Sequence, residues 1–221
     1  MKYKKTEENT VKRGFKKAHY DKIAVHTILD ACEICTVAFT VNGLAHVQPI
    51  NFGRSGEKIY LHGSLKNRMT NALIDSGRVC LSVTLLDAMK LSRSAFHHSV
   101  NYRSAVIFGK VRELLTHEEK LVGLKAIINH FVPNRWENSR LPDDKELKAT
   151  KVIEIEIETA SAKIADGSVS DKEKDKKLDL WAGQIPIKMI CEYPIPESDL
   201  KEGTKIPAHV MAFYEKRKAG F

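Results

Sequence analysis

Two short stretches hold the side chains best suited to chemistry. The first, His62-Gly63-Ser64-Leu65-Lys66-Asn67-Arg68, stands where a β-rich run gives way to a helical pattern. A helix N-terminus at that point offers free N–H groups and partial positive charge, and a glycine lets the backbone come close to a bound group. With the Ser64 hydroxyl, the Lys66 ammonium and the Arg68 fork added, the set suits a phosphate. The bland alternative is an ordinary helix cap with basic residues in water. Capping explains the serine and the asparagine but not the two cations.

The second stretch, RSAFHHSVNYRS, runs from residue 93 to residue 104 between two strand-like segments. A connection chosen only to turn the chain favours Gly, Pro, Asn and Asp, whereas this one carries Arg93, His97, His98, Ser99, Asn101, Tyr102 and Arg103. An arginine and a tyrosine at a strand entrance can meet a planar, hydrogen-bonding ring as well as an anion. If the strand that begins at Asn101 lies beside the one that ends at His62, both stretches serve one ligand. The dull alternative is a loop whose polar groups satisfy one another. His97 and His98 are adjacent, so in extended chain they point to opposite faces, and no Cys or HxxxH partner is near; no metal is expected there. One of the two is expected to pack or hydrogen-bond and the other to touch a ligand. The third candidate is Trp181 in LWAGQIP, which is either core or, beside Ala182 and Gly183, a surface that a flat ligand can approach.

The elements that must position these residues follow from a chain of 221 residues, 43% apolar and 29% charged, which suits one compact unit with a full core. A helix is expected from Tyr20 to Ala31, with Tyr20, Ala24, Thr27, Ile28 and Ala31 on its buried face. Asn42-Gly43 between β-rich runs predicts a hairpin, and a turn at Gly53 to Gly56 feeds a third antiparallel strand in sequence. NRMTNALIDSG reads as a short helix stopped by Gly77, and Thr116 with Glu119 forms a capping box that opens a helix running to Phe131. In KVIEIEIE, Ile153, Ile155 and Ile157 face the core while Glu154, Glu156 and Glu158 mark a solvated face. The expected architecture is mainly β (α+β), with six or seven antiparallel strands in sequential hairpins that form a closed or nearly closed barrel with helices at the connections. The expected organisation is a flexible basic arm over 1–17, the barrel over 18–196, and a C-terminal extension with a short helix over 197–221.

The net charge of +8 attracts anions, with nucleic acid the first class to weigh and small phosphorylated ligands the second. Aromatic and basic residues do not interleave as in a stacking platform, so no specific nucleic-acid partner is expected. No apolar run approaches the roughly 20 residues of a membrane span, and MKYKKTEENTVKRG has no apolar stretch behind it; the expected place is the cytoplasm, with no membrane partner. Cys32 and Cys35 form a CxxC without a second pair, so buried free thiols are the better reading than zinc or redox duty.

The segments YDKIAVHTILD, HVQPINFGR, IYLHGSLKNRM, LLDAMKLSRSAFHHSVNYRSAVIFGKV, EEKLVGLKAI and LWAGQIPI, in that order, resemble the pyridoxamine 5′-phosphate oxidase-like family, in particular the branch with the nitroimidazole-resistance proteins. The resemblance implies an antiparallel split β-barrel of six to seven strands with flanking helices, forming a homodimer with FMN at the subunit interface. It implies that His62, Gly63, Ser64, Asn67 and Arg68 hold the flavin phosphate. Val47, Gln48, Pro49, Ser99, Asn101, Tyr102 and Arg103 would then lie near the isoalloxazine or ribityl parts, with Trp181 coming from the other subunit. Many relatives carry a lysine just after the position of Arg68, where this chain has Met69, so Lys66 has to supply the second charge. The Arg-x-His-x-Arg cluster of the vitamin B6 oxidases is replaced by WAGQIPIKMICEY, with Lys188 alone, which speaks against oxidation of pyridoxamine phosphate. The expected activity is electron or hydride transfer between a nicotinamide or other small reductant and an unidentified small acceptor. No residue stands out as a general acid or base, and a flavin or haem binder without turnover is the alternative.

Overall fold

The computed structural model describes residues 1–220, and nine strands carry its fold. They are β1 (Ala18–His19), β2 (Ile34–Val41), β3 (Leu44–Asn51), β4 (Gly53–Ser55), β5 (Lys58–Ser64), β6 (Arg78–Leu91), β7 (Ser99–Leu114), β8 (Thr150–Ala165) and β9 (Gly183–Pro186). The helices among the described residues are α1 (Lys22–Asp30), α2 (Arg68–Ser76), α3 (His117–Phe131), α4 (Asp144–Ala149) and α5 (Ala208–Arg217). The strands form one mainly antiparallel sheet in the order β3-β2-β6-β7-β8-β5-β4, with β1 on β8 and β9 on β6. The fold class read from the sequence is the observed one. The sheet has two ends, β3 and β4, rather than closing on itself.

Two compact units divide the chain, and β6, β7 and β8 are long enough to contribute to both. The first comprises Met1–Cys32, Ser82–Ile107 and Thr159–Lys188. Its helix α1 starts where Asp21 accepts a hydrogen bond from Ala24 N at 2.8 Å. The helix buries Val25, Ile28 and Leu29; of the expected face Ile28 is buried, whereas Tyr20, Ala24 and Ala31 are half-buried and Thr27 is exposed. The valine and leucine offer more apolar area to remove from water than alanine and threonine do, and that decides the rotation. The N-terminal residues pack against this unit: Tyr3 is 6% exposed, and buried Asn9 donates through Nδ2 to Lys4 O and Ala160 O.

The second unit comprises Glu33–Leu81, Phe108–Glu158 and Met189–Phe221. Asn42 (φ 50°) and Gly43 (φ 77°) turn the chain between β2 and β3, which pair from Val41 opposite Leu44 to Ile34 opposite Asn51. The expected third strand of a sequential meander does not follow. After β3 the chain buries Phe52 beneath His130, with ring centroids 4.7 Å apart, and β4 and β5 join the other end of the sheet beside β8. Gly53 permits this passage, because a Cβ there would lie 2.4 Å from the Ile127 backbone of α3.

Helix ends follow local chemistry. Gly77 stops α2 in the left-handed conformation (φ 66°), and the Thr116–Glu119 capping box opens α3. A second box, Asp143 with Glu146, opens α4 and was not read from the sequence. On β8 the isoleucines face inward as expected, but Glu154 is not solvated. It is 7% exposed and accepts from Lys58 Nζ (3.0 Å), Tyr60 OH (3.1 Å) and Arg112 Nε (2.9 Å). No helix among the described residues is long and apolar enough to cross a membrane.

Candidate functional site

The first candidate lies in the second unit, where β5 ends and α2 begins. Asn67 caps α2 by accepting from Thr70 N at 3.1 Å, so its side-chain oxygen is committed to the helix and only its amide nitrogen remains for a ligand. Gly63 is tight against this cap, and a Cβ there would meet Asn67 Nδ2 at 3.0 Å. The glycine therefore lets the strand end draw up to the helix start. Ser64, Lys66 and Arg68 are exposed, and neither cation has a salt-bridge partner among the described residues. Two unmatched positive charges beside free helix N–H groups attract an anion and repel each other without one. The nearby lysine of β8, Lys151, is engaged instead with Asn71 Oδ1 (2.5 Å) and Glu113 (3.8 Å).

His62 behaves differently from its neighbours. Its Nδ1 is buried without a hydrogen-bond partner, and burial pushes its pKa down, so the ring stays neutral at neutral pH. It lines a cavity of about 380 Å³ with Leu124, Arg140, Pro142, Glu146, Leu147 and Thr150, in which Arg140 is already paired with Glu146 at 2.7 Å. A neutral imidazole is a weak partner for phosphate, but it is the form that ligates a metal.

Val47, Gln48 and Pro49 sit on β3, at one end of the sheet, with Val47 73% exposed. Proline has no N–H to donate, so its place on a terminal strand is the one the ladder tolerates. The strand expected from Asn101 is β7, which begins at Ser99, and the one expected to end at His62 is β5, which runs to Ser64; they are not neighbours, because in the sheet order β8 stands between them. The condition for one ligand shared by neighbouring strands is therefore not met.

The second candidate is the β7 entrance in the first unit, where Ser99, Asn101, Tyr102 and Arg103 begin the strand. Arg103 is clamped by Asp87, with Nε–Oδ2 at 3.0 Å and Nη2–Oδ1 at 2.7 Å, and these bonds raise its pKa further. Asn101, 5% exposed, donates to Gly167 O (3.1 Å) and Gln184 Oε1 (2.9 Å), which leaves its Oδ1 buried and unpaired. Asp87, Asn101, Arg103, Asp166 and Gln184 line a cavity of about 370 Å³. Arg93 pairs with Asp171 at 2.8 Å; burial pushes that carboxyl up, but the Arg93 bonds outweigh it and hold it below the usual range. His98 bonds to Ser92, and His97 stacks edge-on against Phe96. Tyr102 lies near Lys163, whose ammonium is 6.0 Å from the ring centroid. The sequence reading missed Asp87, Asp171 and Gln184, although a lone acid inside the apolar run LLDAMKL was a signal that Asp87 had a partner.

Trp181 is not core: it is 69% exposed and precedes β9. The approach that Gly183 leaves open is taken by the tryptophan itself, since a Cβ on Gly183 would lie 2.7 Å from Trp181 Cζ2. Among the described residues no group of three or more His, Cys, Asp or Glu could hold a metal ion.

A family model described as pyridoxamine 5′-phosphate oxidase matches residues 21–164. The chain belongs to this family. No curated protein matches it significantly in sequence. Among solved structures it is similar to the flavocytochrome Anf3 from Azotobacter vinelandii, with 32% identity, a TM-score of 0.87, and coverage of 94% of this chain and 96% of that one. It is similar to the FAD and haem binding protein from Mycobacterium smegmatis, with 31% identity, a TM-score of 0.83, and coverage of 89% and 96%. A putative 5-nitroimidazole antibiotic resistance protein from Bacteroides thetaiotaomicron shares 25% identity with a TM-score of 0.57, over 66% of this chain and 86% of that one. The pyridoxamine 5′-phosphate oxidase match spans both candidate strand ends and stops before Trp181.

Proposed function

We propose that this chain is a flavin-binding oxidoreductase that holds the phosphate of FMN at the β5–α2 junction. The observation that carries the reading is the pair of unmatched cations, Lys66 and Arg68, beside a capped helix start that Gly63 brings close. Family membership and the likeness to two proteins named for flavin or FAD support it. When bound, the flavin would supply the redox chemistry, hydride or electron transfer between a nicotinamide or other reductant and a small acceptor. The chain's own part is grip and charge: Ser64, Lys66, Arg68 and the helix N–H groups hold the anion, with the Asn67 amide beside them. FAD is the neighbouring possibility, since one of the similar proteins carries that name.

The proposal includes a homodimer. β3 ends the sheet and exposes Leu44 (68%) and Val47 (73%), and an apolar terminal strand is stable in water when something covers it. Trp181 is exposed enough to serve a second copy. The proposed place is the cytoplasm, where a reducing compartment suits a chain that forms no disulfide among the described residues.

A second reading adds haem. It is favoured by His62, whose neutral ring lines a cavity with Leu124, Pro142 and Leu147, and by two similar proteins named flavocytochrome and haem binding. In that reading His62 would ligate the iron, while Arg140 stays with Glu146, which holds its guanidinium at 2.7 and 3.0 Å.

One experiment tests both. The protein is purified without added cofactor, its absorption spectrum is recorded, and whatever is released on denaturation is weighed by mass spectrometry. FMN in the released fraction supports the first reading, and haem that disappears in a His62→Ala variant supports the second. A colourless protein that takes up neither group on soaking overturns both. Light scattering at the mass of one chain removes the dimer.

A further inference from the structure

We infer that a cavity walled by the N-terminal residues binds a free nucleotide. The cavity lies wholly within the first unit, measures about 620 Å³, and is lined by Lys2, Tyr3, Lys5, Phe15, His19 and Tyr20. That volume falls in the range of about 300–1,000 Å³ typical of small-molecule sites.

The lining divides into a cationic part and an aromatic part, the two chemistries a nucleotide presents to a protein. Lys2 and Lys5 are exposed at the cavity and have no salt-bridge partner among the described residues. The carboxylate in the lining, Asp21, is already engaged: it accepts from Ala24 N at 2.8 Å and stands 3.9 Å from His19 Nδ1. Positive charge is therefore in excess. On the aromatic side, Phe15 is 68% exposed and stacks on no ring among the described residues, so its face is open. An exposed phenylalanine beside unmatched lysines gains most from a partner that is both planar and anionic.

The walls are held in place before any ligand arrives. Gly14, at φ 69°, sets the tight turn Phe15–Lys17 and so fixes where Phe15 projects. Tyr20 accepts from Val11 N at 2.9 Å through its hydroxyl and carries Lys5 Nζ 4.6 Å above its ring. Tyr3 N donates to Tyr20 O at 2.8 Å, and Asn9 ties the segment to Ala160 of β8. A site whose walls are already ordered loses little conformational entropy on binding. The aromatics surround one cavity rather than repeating along a track, which favours a single nucleotide over a strand of nucleic acid.

The test is calorimetric titration of the full-length protein with 5′-AMP, with adenosine, with inorganic phosphate and with an oligothymidylate. The expected result is saturable AMP binding, with adenosine and phosphate each at least about tenfold weaker, because each meets only half of the lining. Phe15→Ser and the double variant Lys2→Ala/Lys5→Ala should each weaken AMP about tenfold, while Arg68→Ala leaves it unchanged. These side chains are exposed, and an unaltered thermal melt confirms that the variants fold. The inference is overturned if the wild type shows no saturation, if both cavity variants bind AMP as the wild type does, or if Arg68→Ala abolishes binding. It is equally overturned if the oligonucleotide binds over several nucleotides and displaces AMP.

Discussion

The two ends of β5 are built from the same residue types and put them to opposite use. At the Lys58 end, Lys58 and Arg112 each have an acid: Glu154 takes bonds from Lys58, Tyr60 and Arg112, and Arg112 also reaches Glu119 at 2.6 Å. At the Ser64 end, Lys66 and Arg68 meet no acid among the described residues. The first arrangement is complete in itself and stabilises the fold; the second leaves two cations without an acid, which is what the proposed flavin phosphate would match. The difference teaches that a cation's sequence neighbourhood says little about its task, whereas its partner list says a great deal. Arg103 makes the same point at β7: it belongs to the stretch richest in apparent ligand groups, yet Asp87 clamps it bidentately.

The sharpest way to break the contrast is to remove Glu154. Glu154→Ala leaves Tyr60 OH without its acceptor and Arg112 Nε without its acid. The expected loss is about 2–3 kcal/mol of unfolding free energy in urea titration, below the figure for a fully buried pair because Lys58 and Arg112 are half exposed. A loss under half a kilocalorie would mean that the matched end contributes no more than the unmatched one. The mirror experiment is Arg68→Ala. It should leave the urea midpoint where it is and weaken flavin by about 2 kcal/mol in fluorescence titration, the worth of a charge-assisted hydrogen bond. Unchanged affinity would take Arg68 out of the site.

Asp87→Asn is the intermediate case, because it turns a matched arginine into an unmatched one. Both side chains are about a quarter to a third exposed (26% and 31%), so solvent already screens the pair. A destabilisation of about 1 kcal/mol is expected. A larger drop in flavin affinity than in stability would assign Arg103 to the ligand despite its clamp.

What the sequence made legible is what local chemistry decides. The Asn42-Gly43 turn, the Gly77 stop and the Thr116–Glu119 box each depend on residues within a few positions of one another, and each stands where it was read. The junction of β5 and α2 was legible for the same reason, since strand end, cap and helix start are contiguous. The partners were not: Asp87 lies 16 residues from Arg103, Asp171 lies 78 from Arg93, and Glu154 lies 94 from Tyr60. Such pairings depend on strand order, and strand order was misjudged at Phe52–Gly53, where burial beneath α3 overrides the preference for a simple meander. Period-two patterning also misled at Glu154, because alternation fixes which face a side chain takes but not whether that face meets water.

Tyr60 offers the finest measure of the matched end. Burial first, and then the charge and hydrogen bond of Glu154, push its pKa up to about 12, with Arg112 pulling weakly the other way. The unfolded chain titrates near the ordinary 10, so the folded state holds this proton more tightly. The contribution to stability is therefore fully present below pH 10 and is lost as pH rises through about 12. In an alkaline absorption titration, one of the six tyrosines should ionise late, and Tyr60→Phe should remove that late step. In Glu154→Ala the step should move only part of the way back toward 10, because burial is the larger cause and remains. A full return to 10 would make the carboxylate, not the desolvated ring, the dominant influence at this end of β5.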